Sequence, residues 1–182
     1  MTRYTVDDFL GDARRIVREN GIRHGLESIR KNTERLLGQS DLLETYVNMD
    51  EYEGHTVIGH DPETDIHVIV HGGQKGGTSP PHDHGPCSVI YGNYTGHTLM
   101  RRWNRLDDGG SEGPARLEVA REYTVGAGQA TAFAEGDIHS IDYPDGAFFV
   151  RVTVGDVERQ KTRRFDLERG IVEIDDRAAR TG

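Results

Sequence analysis

Pro80-Pro81-His82-Asp83-His84-Gly85 sets two imidazoles on either side of one carboxylate, and Gly136-Asp137-Ile138-His139 brings a third imidazole behind a turn. On an extended strand the side chains at i and i+2 share a face, so His82 and His84 can offer two nitrogens to one ion. Gly136 and Asp137 are turn residues, and a turn ahead of His139 lets a second strand deliver its ring to the same point. A His-x-His pair alone also arises in exposed loops, and the second run is what separates the two readings. The expectation is a β architecture in which two strands converge on a metal held by His82, His84 and His139.

The flanking sequence supports strands. From Thr56 onward the apolar period is two, with strands expected at 56–59, 66–71, 87–91, 98–103, 116–119, 130–133, 139–142 and 148–154, separated by Gly, Pro, Asp and Asn turns. The first fifty residues differ. Thr5-Val6-Asp7-Asp8 offers an N-cap with an acid three positions on, and Val6, Phe9, Leu10, Ala13, Ile16 and Val17 recur at helical spacing. Asn20-Gly21 stops that helix, a second stripe from Ile22 to Leu37 ends at Gly38, and Ser40-Asp41 can cap a third, short helix reaching Met49. A helical cap followed by eight strands suits a barrel or jelly roll. The expected organisation is one domain, with residues 1–50 as cap, 56–154 as barrel and 156–182 as a charged tail that frays from Asp175.

His82-Asp83-His84-Gly85, the glycines Gly92 and Gly96 expected to close the strand turn after it, and Glu135-Gly136-Asp137-Ile138-His139 resemble the two metal motifs of the cupin superfamily. The resemblance implies a double-stranded β-helix, a jelly-roll barrel, that holds a metal. The HDHG start, the run Val89 to Gly96, Trp103 and the helical N-terminal segment look most like the cysteine dioxygenase group of thiol dioxygenases. Many cupins add a Glu soon after the His pair; Gly85-Pro86-Cys87-Ser88 has no carboxylate, and the thiol dioxygenases also lack it. The resemblance covers about residues 5 to 165 and is specific at the metal motifs.

Three neutral nitrogens suit iron(II), zinc, nickel, copper or cobalt, so the ligand set alone does not choose among them. The resemblance implies mononuclear iron(II). A site without an anionic protein ligand keeps its double charge and favours an anionic substrate bound directly to the metal.

Other features of this group are missing. Its substrate-gripping arginine would fall in Glu53-Gly54-His55-Thr56-Val57, which has none. Its Ser-x-His-x-Tyr run aligns with Phe149-Val150-Arg151-Val152-Thr153, and Cys87 lies two positions too early for the crosslink some members make. Activity on free cysteine is therefore not expected. Arg151, at the pocket position of the lost His, can pair with a carboxylate, sulfonate or phosphonate. The competing reading turns Arg151 outward, because Phe148, Val150, Val152 and Val154 form an apolar row on the other face. His71, ahead of the Gly72-Gly73 turn, can serve as an acid or base, and Tyr91 as a phenolic acid or as core. Arg151, Tyr91 and His71 are thus the candidate catalytic residues. Arg101 shares a parity with Leu99 and Trp103. His24, His60, His67 and His97 carry no partner signature and read as surface residues, while Cys87 reads as a packed small residue.

Composition bounds the rest. The chain has 182 residues, a net charge of −9, a single cysteine and a mean hydropathy of −0.68. The acidic balance argues against nucleic-acid or anionic-membrane partners, and Cys87 alone cannot form an intrachain disulfide. The start lacks a basic, apolar leader, and a cytoplasmic location is expected. The function expected is a non-haem iron(II) dioxygenase, with a small anionic substrate and O2 as partners. Two alternatives are a three-histidine cupin cleaving a carbon-carbon bond of a diketone or enolate, and a non-catalytic metal-dependent binding module.

Overall fold

The computed structural model describes residues 3–107, 109 and 112–176. Helix α1 (Val6–Leu37) starts at a capping box, in which the Thr5 side chain accepts from the Asp8 amide and the Asp8 carboxylate accepts from the Thr5 amide. Gly21, at φ 72 and ψ 167, breaks it into two helical segments. Residues 40–49 form no third helix. Isolated turns there, Thr45 N–H to Asp41 C=O and Val47 N–H to Leu43 C=O, are closed while Leu42 and Leu43 plug into the core.

Among the described residues, twelve strands follow: β1 (Glu53–Asp61), β2 (Ile66–Gly73), β3 (Gly77–His82), β4 (Ser88–Thr95), β5 (His97–Arg105), β6 (Gly113–Pro114), β7 (Leu117–Gly126), β8 (Ala130–Phe133), β9 (Ile138–Tyr143), β10 (Phe148–Val154), β11 (Lys161–Asp166) and β12 (Ile171–Asp176). They form two antiparallel sheets, ordered β1-β2-β10-β4-β8 and β6-β12-β11-β3-β9-β5-β7. The protein is mostly β. Eight of these strands coincide with the stretches of period two; β3, β6, β11 and β12 are additional. The last pair replaces most of the expected charged tail with a hairpin joined to β3 through Arg164 opposite His82, because Thr162, Phe165 and Val172 bury between charged neighbours. Asp175, expected to fray, is paired in β12, and residues 177–182 lie outside the described residues.

The central strands of the five-stranded sheet, β2, β10 and β4, are buried on both faces. Ile66, Val68, Val70, Ile90, Val150, Val152 and Val154 point toward α1 and share a core with Phe9, Ala13, Ile29 and Leu36. Removing each such side chain from water contributes about 1.5 to 3 kcal/mol before the entropy of ordering is counted. Gly92 does not close a turn: it lies within β4 under the helix, and a Cβ there would meet Leu37 Cδ1 at 2.6 Å and Thr33 Cγ2 at 3.0 Å. Gly96 occupies the β4–β5 turn with a φ of 65.

The opposite face meets the seven-stranded sheet. Val89, Tyr91, Phe133 and Phe149 from one sheet share a core with Met100, Val125 and Ile141 from the other, and Phe149 stacks edge-on to Tyr143 at 5.2 Å. A second sheet over this face is what turns the odd residues of β10 inward. With α1 on one side and a sheet on the other, neither face of β10 is left to solvent, and the outward reading of Arg151 does not apply.

Candidate metal centre

The three histidines converge. His82 ends β3, His139 is the second residue of β9, and the register pairs the two directly across the sheet. His84 lies beyond the end of β3, in the turn, so regular strand alternation does not carry it to the cluster. What does so is the intervening carboxylate. Asp83 is fully buried and clamped by Arg163 of β11, which donates from Nε to Asp83 Oδ2 and from its backbone amide to Oδ1 at 2.8 Å. Asp83 also caps the turn by accepting from the Gly85 amide at 3.1 Å. With Asp83 turned outward to β11, the imidazoles before and after it face the other way. Ring centroids stand 4.9, 4.6 and 5.1 Å apart for His82–His84, His82–His139 and His84–His139, and one ligand nitrogen from each lies within 4.8 Å of the others.

The tautomers suit a metal. His82 Nδ1 lies 2.9 Å from Pro80 C=O and His139 Nδ1 lies 3.2 Å from Asp137 C=O, contacts in which the ring N–H donates to the carbonyl. Each Nε2 is then left with its lone pair, the arrangement in which a metal-binding histidine is oriented by a carbonyl behind it. Burial holds the pKa of His139 well below the ordinary range, helped by the neighbouring His82, Arg102 and Arg151, so the ring is the neutral form a metal requires. The donor set therefore fits a divalent transition ion.

Support for His139 includes residues not singled out from the sequence. Phe133 stacks on it at 4.0 Å and 19°, and Arg102 lies over the Phe133 ring at 4.2 Å while pairing with Asp137 at 2.8 Å. Of Arg101 and Arg102, it is Arg102 that reaches the surroundings of the histidine cluster. Arg101 pairs with Glu122 and Asp142, and Trp103 donates to Ser140 at 3.0 Å.

A cavity of about 210 Å³ opens beside the histidines, lined by His82, His84, Tyr91, Arg151, His71 and Asp175 among others. Arg151 and Tyr91 are cross-strand neighbours on β10 and β4, on the inner face opposite the three histidines. The Tyr91 hydroxyl is 3.1 Å from His84 Nε2 and 3.4 Å from His139 Nε2. His71 stacks on Phe149 at 5.3 Å and on His55 at 5.5 Å, and its buried Nε2 has no hydrogen-bond partner among the described residues. Its pKa falls well below normal, first through burial and then through Arg151 and His55. Asp175 was missed; the alternation Ile171-Val172-Glu173-Ile174 after Arg169-Gly170 was the available signal. A larger cavity of about 570 Å³ lies outside the histidine cluster near Trp103 and Phe165, and shares Thr78, Ser79 and Arg164 with the smaller one. Cys87 is buried and its thiol is pushed up to about 11 by burial, Asp156 and Asp65, so it is a packed thiol with little thiolate.

No family model matches the chain, and no curated protein matches it. Solved structures that overlap it include double-stranded β-helix and cupin proteins. KdgF from Halomonas sp. is 14% identical with a TM-score of 0.41, over 56% of this chain and 80% of that one. An oxalate oxidase in complex with glycolate is 22% identical with a TM-score of 0.40, over 60% of this chain and little more than half, 55%, of its own. A double-stranded β-helix protein from Klebsiella pneumoniae is 16% identical with a TM-score of 0.43, over 62% and 85%. Overlaps of this size assign neither family nor chemistry. The mostly β architecture and a three-histidine group able to hold a metal follow from the chain's own geometry.

Proposed function

We propose that the two sheets form the jelly-roll barrel of a cupin and that the protein is a non-haem iron(II) dioxygenase of the cysteine dioxygenase type, oxidising a small anionic substrate other than free cysteine. The observation that carries this reading is a guanidinium, Arg151, in the cavity lined by His82 and His84, two of the three imidazoles that bring no negative charge to the ion they would hold. Iron(II), when bound by His82, His84 and His139, would supply the O2 and redox chemistry.

The chain's own side chains account for the rest. Arg151 pairs bidentately with a carboxylate, sulfonate or phosphonate and sets the distance between that group and the histidines. The Tyr91 hydroxyl, beside two of the Nε2 atoms, holds or gives a proton at the reacting end of the substrate. His71, kept neutral, is a proton acceptor next to Arg151. Phe149, Ile141 and Tyr143 limit water on the remaining walls. Asp175 opposes anions at the same cavity and so favours substrates whose charge sits at the Arg151 end.

A small anion and O2 are the partners of this reading, with no role for nucleic acid or membrane, and the cytoplasm is its location. Among the described residues, no helix is long and apolar enough to cross a membrane. The test is anaerobic loading with iron(II), then oxygen consumption over thiols, enolates and phosphonates. Uptake with an anionic substrate, lost in His139→Ala, is the expected result. Carbon-carbon cleavage of an enolate would select the diketone-cleaving alternative. Tight substrate binding with no turnover would select a binding module.

A further inference from the structure

His60 and His67 read as isolated surface histidines in the sequence, but the β1–β2 register places them directly opposite each other. Their rings stack at 4.0 Å and 15°. Asp65, in the turn between the strands, brings its carboxylate to the same point, with Oδ1 3.2 Å from His60 Nε2 and 4.0 Å from His67 Nδ1. One ligand atom from each of the three lies within 4.8 Å of the other two.

We infer that His60, Asp65 and His67 form a second, solvent-accessible site for a divalent transition-metal ion of the zinc, nickel or copper class. Bonds of about 2.0 to 2.2 Å to one ion hold such donors roughly 3 to 3.5 Å apart, and Asp65 Oδ1 already lies 3.2 Å from His60 Nε2 and 4.0 Å from His67 Nδ1, so the rings would turn out of their stack to close on an ion. The strands that present the histidines do not need to move. Ile66 and Val68, on either side of His67, are fully buried, and the Gly155 amide donates to Asp65 C=O at 3.0 Å.

The local charges favour a cation. The nearby arginines are engaged elsewhere, Arg14 with Asp61 at 2.6 Å and Arg18 with Glu63, which leaves Asp65 facing the two imidazoles. Side-chain exposures of 41%, 46% and 20% for His60, Asp65 and His67 leave room for water on the remaining coordination positions. Two nitrogens and one oxygen prefer copper(II), nickel and zinc over magnesium or calcium, which require oxygen donors. An ion here would tie both strands to their turn, since all three ligands come from one hairpin.

The test is equilibrium dialysis of the chelator-stripped full chain against zinc, and separately against magnesium, for the wild type and for His60→Gln, His67→Gln and His139→Ala. One bound zinc should disappear in His60→Gln and in His67→Gln yet persist in His139→Ala, with no magnesium bound at this site. The thermal midpoint of His139→Ala should rise by a few degrees with zinc, and that rise should vanish when His67→Gln is added to it. If the histidine centre fails to bind metal, the wild type still binds the hairpin ion and the inference stands. Zinc stoichiometry and midpoint shift unchanged by both hairpin substitutions would overturn it, and the exposure of His60 makes misfolding of that variant a poor explanation.

Discussion

Asp83 and Arg163 form a three-point contact: the guanidinium and amide of Arg163 both donate to the Asp83 carboxylate, and the Asp83 amide donates back to Arg163 C=O at 3.0 Å. The contact pins the turn holding His82 and His84 to the terminal hairpin. Asp83→Ala should weaken metal binding about 10 to 100 fold, the usual scale for losing a group that orients a ligand. Arg163→Ala should do the same and also cost roughly 1 to 3 kcal/mol of stability, because Asp83 Oδ2 loses its donor while Oδ1 keeps the two backbone amides. Chelator competition with melting curves separates the two effects; unchanged affinity in both variants would show that the turn holds itself.

His139 is the centre's most enclosed ligand, between Phe133 and the other two rings. His139→Ala should abolish metal at the centre and oxygen uptake together, and His82→Ala should follow it. Metal analysis of protein purified without chelators, scored apart from the hairpin site, gives the answer. Metal retained at the centre in His139→Ala would remove the three-histidine reading.

The sequence showed more of this site than of its supports. His82 and His139 were legible because strand spacing and a Gly-Asp turn are local signals, and the inner face of β10 was legible as an alternation whose sense depended on what covered it. Only the two-sided packing of β10, by α1 and by the second sheet, decided where Arg151 points. The grip of Arg163 on Asp83, the Arg102–Phe133–His139 stack and the pairing of His60 with His67 join residues distant in sequence or across a register, and carry no local mark. The terminal hairpin was hidden for a different reason: its alternation is short and heavy in charge, which resembles a frayed tail.

Arg151 is expected to hold the anionic end of the substrate. Arg151→Gln should lower kcat/KM by about 10 to 100 fold, matching a charge-assisted hydrogen bond of roughly 1.5 to 3 kcal/mol, while metal content stays at the wild-type level. Arg151→Lys should recover part of the loss, since charge returns without the bidentate fork. Steady-state kinetics on the substrate found by the oxygen screen decide this. Equal kcat/KM in wild type and Arg151→Gln would take Arg151 out of substrate binding.

His71 gives a pH prediction with a definite sign. Burial, then Arg151 and His55, hold its folded-state pKa well below the ordinary histidine value, so the folded chain keeps the ring neutral where the unfolded chain takes up a proton. Stability is therefore complete above about pH 6.5 and falls as pH drops below it, by up to about 1.4 kcal/mol per pH unit for each such group. His139 adds in the same direction in metal-free protein. Asp61 does not contribute in that window: although burial raises its pKa, Arg14 and Thr64 outweigh this and hold it at about 2, so its contribution is lost only in stronger acid. Between pH 7 and 5 the buried histidines should therefore contribute to the slope. His71→Phe, which can stack on Phe149 without titrating, should reduce the slope by up to one proton's worth. Urea midpoints of metal-free wild type and variant at pH 7.5, 6 and 5 measure the difference, and identical slopes would mean that His71 is protonated as readily in the folded chain as in the unfolded one.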